Sequence, residues 1–190
     1  AVASLCFGFV TFVPYFIEMW KGTAKPHIFS WVTWSLLTGL GFVLSLRGGG
    51  GEGAWIFGLQ SSLCLVVAVY AFFKGEKHIT RTDWISFGGA IAVTVVYVFT
   101  KNGPVSAFLA ATIDSLGFVP TFRKSYLKPL DEPALTYFFS FLSFLFSLGA
   151  LQAYTFETVF YPLALVMANL AFVFFLLVRR KRLGGGRAKN

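Results

Sequence analysis

The 190-residue sequence predicts an all-α membrane protein with seven transmembrane helices, on grounds of composition, punctuation and charge. It is 56% hydrophobic and 13% charged, with a mean hydropathy of +0.72, whereas soluble domains run about 45–50% apolar and roughly 25% charged. Its 24 Phe residues demand more core than so short a chain closes as a globule. The same composition excludes disorder. Seven apolar stretches of about 20 residues, the length that crosses a bilayer, use about 140 positions and leave little for loops.

The first span runs from Ala1 to Trp20 and ends at Lys21-Gly22. It matches a full span, and no basic segment precedes it as in a signal peptide. The second opens at Pro26, whose missing N–H has no helical partner in a first turn, and reaches Leu46 before the Gly48–Gly51 run. The third covers Ala54 to Phe73 and stops at Lys74-Gly75-Glu76-Lys77. The fourth covers Trp84 to Thr100, the fifth Pro104 to Phe122, and the sixth Pro133 to Tyr154. The seventh covers Thr158 to Val178, ahead of Arg179-Arg180-Lys181-Arg182.

Of the 16 Lys and Arg residues, two fall in the 1–2 loop, three each in the 3–4 and 5–6 loops, and six after span 7. Only Arg47 and Lys101 occupy the remaining loops. Positive charge stays cytoplasmic, so the chain is expected in the cell membrane with its N-terminus outside and its C-terminus cytoplasmic. Six or eight spans would scramble this division. The net charge of +8 therefore reads as topology, not as a nucleic-acid footprint. The basic tail serves as a topology anchor or binds anionic membrane lipid. Cys6 and Cys64 read as buried thiols behaving as small hydrophobes.

An internal repeat divides the spans. Phe12-Val13-Pro14-x-Phe16 recurs as Phe118-Val119-Pro120-x-Phe122, and the next helix opens at Lys25-Pro26 and again at Glu132-Pro133. Span 4 has no counterpart and reverses direction, so the two three-helix units enter the membrane the same way round, as parallel repeats. The expected organisation is a first three-helix bundle at 1–74, a linker helix at 75–103, a second bundle at 104–182 and a flexible tail at 183–190.

This 3+1+3 pattern, with a proline near one end of the first helix of each unit, resembles the SWEET and PQ-loop superfamily, which includes sugar carriers, lysosomal amino-acid exporters, PnuC-type vitamin carriers and a retrieval-signal receptor. The Pro-Gln pair itself is absent: Tyr15 follows Pro14 and Thr121 follows Pro120. The resemblance implies a cavity lined by aromatics of the second helix and polar residues of the third helix of each unit. By that resemblance Gln60 and Asn169 are candidates to bind substrate.

The residues themselves point to further candidates. Pro14 and Pro120, at equivalent depth, are symmetric hinges or static kinks, since a proline frees one backbone carbonyl inside a helix. Asp114 is the only acid deep inside a span, ~15 Å from its start. An ionised carboxylate there costs ~2.5–3.5 kcal/mol, so it should face protein or water. It would couple protons, bind a cationic substrate group, or hydrogen-bond to neighbouring Ser, Thr or Asn. Its equivalent in the first unit falls near Gly8. Trp31 and Trp34, with Ser35 and Thr38, share one face of span 2. Trp34 lies ~12 Å in, deeper than an interfacial tryptophan. The matching stretch of span 6 offers Tyr137, Phe138, Ser140, Ser143 and Ser147, read as a substrate wall or as small-residue helix packing.

No nucleophile constellation, phosphate loop or metal motif appears; His27 and His78 lack ligand partners at metal spacing, and Gly48–Gly51 lacks the Lys-Ser/Thr end of a P-loop. No enzyme, cofactor, metal or nucleic-acid partner is expected. The expected function is a carrier of a small polar solute such as a sugar, amino acid or vitamin, working by alternating access and coupled to protons through Asp114. The alternative is a receptor or binding module that holds a ligand without moving it. Oligomeric state is left open.

Overall fold

The computed structural model describes residues 1–22, 26, 28–75, 80–127, 129 and 134–187, with the side chains of 83, 86, 117, 119–121, 123–124, 127 and 183–187 left out of the description. The described chain is helical, with no strand among the described residues. Seven α-helices follow in order: α1 Val2–Trp20, α2 Ile28–Arg47, α3 Trp55–Lys74, α4 Arg81–Thr100, α5 Gly103–Leu127, α6 Ala134–Leu148 and α7 Phe156–Arg187. A single tight turn, Gly51–Ala54, leads into α3. His27 and His78, and the Lys25 and Glu132-Pro133 helix openings, lie outside the described residues.

Most boundaries fall within a few residues of the sequence expectation, but three helix ends differ: α5 runs on from Phe122 to Leu127, and the ends of α6 and α7 also move. α6 stops at Leu148 and not near Tyr154. There the Leu148 carbonyl accepts from the Leu151 N–H at 3.3 Å and from the Tyr154 hydroxyl at 2.8 Å. The Ala150 N–H turns back to the Ser147 carbonyl at 3.0 Å. These bonds satisfy the terminal carbonyls that a longer helix would have used. α7 continues past Val178 to Arg187; helix propensity accounts for the basic run Arg179-Arg180-Lys181-Arg182 but not for Gly184-Gly185-Gly186, which disfavour helix.

Four stretches are long and apolar enough to cross a membrane: Val2–Trp20, Ile28–Arg47, Gly51–Lys74 and Phe156–Arg182. Phe87–Thr100 within α4 and Ala134–Leu148 are shorter apolar helices.

α3 packs against both α1 and α2, and α7 against both α5 and α6. α4 touches α2 and α5, and the two groups meet where α1 lies on α6 and α2 on α5. The connections gather at two ends. At the end carrying residue 1, here the N-terminal end, the Gln152 N–H donates to the Gly50 carbonyl at 3.2 Å. Close by, Glu157 crowds Gly103 and Gly48. At the opposite, tail end, the Tyr70 hydroxyl donates to the Met19 carbonyl at 2.9 Å. There too Arg179 Nε donates to the Tyr126 carbonyl at 2.9 Å and Arg180 Nε to the Pro129 carbonyl at 3.0 Å. Guanidinium groups at the carbonyl end of α5 complement its dipole.

The buried apolar residues form three clusters. One spans the two groups of helices and includes Leu37, Leu40, Phe57, Phe144, Tyr161 and Leu165. The other two each stay inside one group. Phe12, Met19, Cys64 and Val67 gather with Phe16, Trp31, Trp34, Leu63 and Tyr70. Phe118, Phe172 and Leu176 gather with Phe122, Tyr137, Ala168 and Phe175.

Candidate functional site

Asp114 organises the candidate site. It lies about 16 Å along the 25-residue α5, counting the helical rise per residue, and is 4% exposed. Its Oδ1 accepts a long hydrogen bond, 3.5 Å, from the Tyr161 hydroxyl of α7. Tyr161 is 1% exposed, and its ring is clamped between two elements. One side stacks on Phe57 of α3, with centroids 5.5 Å apart and planes at 19°. The other meets α2 at Gly41, where a Cβ would stand 2.7 Å from the ring. A buried tyrosine hydroxyl needs a polar partner, and Asp114 supplies it.

α3 brings two further polar groups to the same region. Cys64 lies within electrostatic reach of both Asp114 and Tyr161. Gln60 sits one turn earlier on the same buried face, between Cys64 and Phe57. It is 5% exposed, and its Nε2 has no hydrogen-bond partner. An unmade donor in so buried a place is expensive. No Lys, Arg or His occurs at this depth in any of the helices, so no cationic side chain offsets the carboxylate. Among the described residues, no three His, Cys, Asp or Glu side chains gather as a metal ion would require.

The other sequence candidates distribute around this centre. Asn169 is buried and donates through Nδ2 to the Leu165 carbonyl of its own helix at 2.8 Å. Its counterpart is not Gln60. Leu63, Val67 and Tyr70 of α3 and Ala168, Phe172 and Phe175 of α7 stand at one constant sequence separation in the two tail-end clusters, a register that matches Asn169 to Cys64 in sequence. Trp31 and Trp34 are half-buried and meet edge to face at 5.2 Å. Trp31 also lies 4.8 Å from Tyr15 and 6.0 Å from Phe12. Phe118 and Tyr137, at 6.3 Å, repeat the Phe12–Trp31 contact in the second unit. Tyr137, and not Phe138, is therefore the partner of Trp31. Phe138 is 40% exposed and meets Phe139 and Phe141 of its own helix, so it stands apart from Asp114. Ser140 is half-buried.

The serine stripe of α6 has a packing role at two of its positions. Ser143 and Ser4 exchange hydroxyl-to-carbonyl bonds of 3.0 and 2.8 Å, and Ser147 donates to the Gly53 carbonyl at 2.7 Å. α1 remains helical through the half-buried Pro14. Pro120 lies within α5, with its side chain outside the description. Sequence reasoning passed over Tyr161, and treated Cys64 only as a hydrophobe. A tyrosine placed inside an apolar span whose other rings are Phe was the available signal, because its hydroxyl must find a partner. No family model, curated protein or solved structure matches this chain.

Proposed function

We propose that the chain is a multi-pass membrane carrier of a small polar solute, working by alternating access and coupled to protons through Asp114. In this reading all seven helices cross the cell membrane as a 3+1+3 bundle of the SWEET and PQ-loop type, with the N-terminus outside and the C-terminus cytoplasmic. The observation that carries it is the position of Asp114. The carboxylate sits where the shared cluster ends and the two separate aromatic clusters begin. A polar group at the meeting point of a closed half and a divided half is where a carrier holds its solute between two openings.

The repeated aromatic clusters support two like-built units that move against each other. Trp34 and Trp31 wall one side of the route, with Asn169 and Cys64 facing from the third helix of each unit. Pro14 and Pro120 supply the bending points. A receptor that merely holds a ligand needs no such division between the ends.

The test is uptake into proteoliposomes across a pH gradient. Tyr161 and Cys64 are the titratable groups near Asp114, so Tyr161→Phe and Cys64→Ser serve as controls. Asp114→Asn should abolish the dependence of uptake on the gradient, whereas Tyr161→Phe and Cys64→Ser, which lower uptake by altering the site, should leave that dependence in place. An unchanged pH profile in Asp114→Asn removes proton coupling, and binding without uptake in the unaltered protein favours the receptor.

A further inference from the structure

We infer that the solute is a small organic monocation: an ammonium group that meets Asp114, with a neutral oxygen acceptor a few bonds away that meets Gln60 Nε2. The inference rests on the carrier reading of the Asp114 centre and adds the class of molecule it takes. Two independent groups define the ligand. Asp114 is buried at mid-helix with one long bond from Tyr161 and no cationic side chain at its depth. Gln60, on the face that carries Cys64 and Phe57, is 5% exposed with an unmade Nε2 donor.

Charge and hydrogen-bond complementarity then decide among ligand classes. A polyol satisfies hydrogen bonds but gives the ionised carboxylate no counter-charge, so it is accommodated only by protonated Asp114 and gains nothing from the ionised form. An anion is repelled outright. A dication finds only one acid, because the other seven Asp and Glu residues all fall near the helix ends or in the connections. A zwitterion places its own carboxylate opposite a neutral amide, with no Lys or Arg to receive it. A monocation with a carbonyl or amide oxygen leaves no charge unpaired and gives the buried Gln60 Nε2 an acceptor. The ammonium donates to Asp114, its remaining hydrogen reaches the Tyr161 oxygen, and Gln60 Nε2 donates to the oxygen acceptor.

Four probes on one carbon skeleton separate these cases: L-alaninamide (cation), L-alanine (zwitterion), lactamide (neutral) and lactate (anion). Binding is read as the rise in melting temperature of the purified protein in detergent at neutral pH, titrated to 100 mM probe, which by ligand linkage gives the affinity. Alaninamide should stabilise most. Asp114→Asn should weaken it about tenfold or more, the factor for losing a charge-assisted hydrogen bond, and Gln60→Leu about fivefold for a neutral one. The unliganded melting temperature of each variant reports its folding, and Gln60→Leu carries the test if Asp114→Asn does not fold. Equal or better stabilisation by lactamide, alanine or lactate overturns the inference, as does no stabilisation by alaninamide. Uptake of a neutral polyol by the same protein also overturns it and leaves the carrier reading standing, whereas failure of every solute to cross the bilayer strikes the carrier reading itself.

Discussion

The two ends of the bundle are held together in opposite ways. Toward the N-terminal end, the contacts run between the two groups of helices. Ser4 and Ser143 clasp each other, Ser147 holds Gly53, Gln152 holds Gly50, and Phe7 stacks on Phe146 at 5.4 Å. Gly8 permits the close approach, because a Cβ there would run into Ile56 and stand 3.0 Å from Ser143 Oγ. Toward the tail end, Tyr70 with Met19, Arg179 with Tyr126 and each aromatic cluster with its own members are contacts within one group, while Phe29 of α2 meets Trp84 of the linking α4 at 4.7 Å. Among the described residues, the hydrogen bonds that join α1–α3 to α6 and the turn after it all lie at the N-terminal end. Gly8 and Asp114 occupy matching registers, and one seals a seam where the other keeps a carboxylate.

Locking the joined end is the strongest way to challenge this contrast. With Cys6 and Cys64 replaced by serine, the pair Ser4→Cys and Ser143→Cys should cross-link under oxidant, since backbones that exchange hydroxyl-to-carbonyl bonds lie close enough for a disulfide. Transport should fall to background and return with reductant. Undiminished transport in the cross-linked protein would mean that the seam never opens. A gentler probe is Ser147→Ala, which removes one interhelical bond worth about 0.6 kcal/mol on average in a membrane. Amide exchange across Gly48–Ala54 should quicken about threefold, and unaltered exchange would show that the Gly53 bond contributes nothing to closure. The smallest effect is expected from Arg179→Gln. It loses a contact internal to one unit, over the Tyr126 ring at 4.1 Å. Melting temperature should drop slightly while transport persists; a large loss of transport would place that end among the moving seams.

Helix number and order were legible in the sequence, because apolar runs punctuated by glycine, proline and basic residues leave few alternatives. Asp114 was legible as well, since one acid inside a span has no bland surroundings. The α6 stop was not. It depends on Tyr154 and Leu151 folding back onto Leu148, a contact that hydropathy does not encode. Phe138 and Tyr137 are adjacent in a Phe-rich helix, and only packing against Phe118 and Phe172 decides which one turns inward. The sequence match of Asn169 to Cys64 was hidden for a related reason: α3 and α7 share no motif, and the common register emerges from the clusters they build.

The early end of α6 reaches beyond the protein. Fifteen residues rise about 22 Å, short of the ~30 Å hydrocarbon thickness of a typical bilayer. In the proposed bilayer-spanning bundle, lipid beside these fifteen described residues would dimple inward, at a modest elastic cost for each ångström of mismatch. Because α6 carries Ser143 and Ser147, the seam of the joined end would stand against this compressed patch. For the proposed carrier, acyl-chain length in the host membrane would thereby be a mechanical input to how readily the bundle parts.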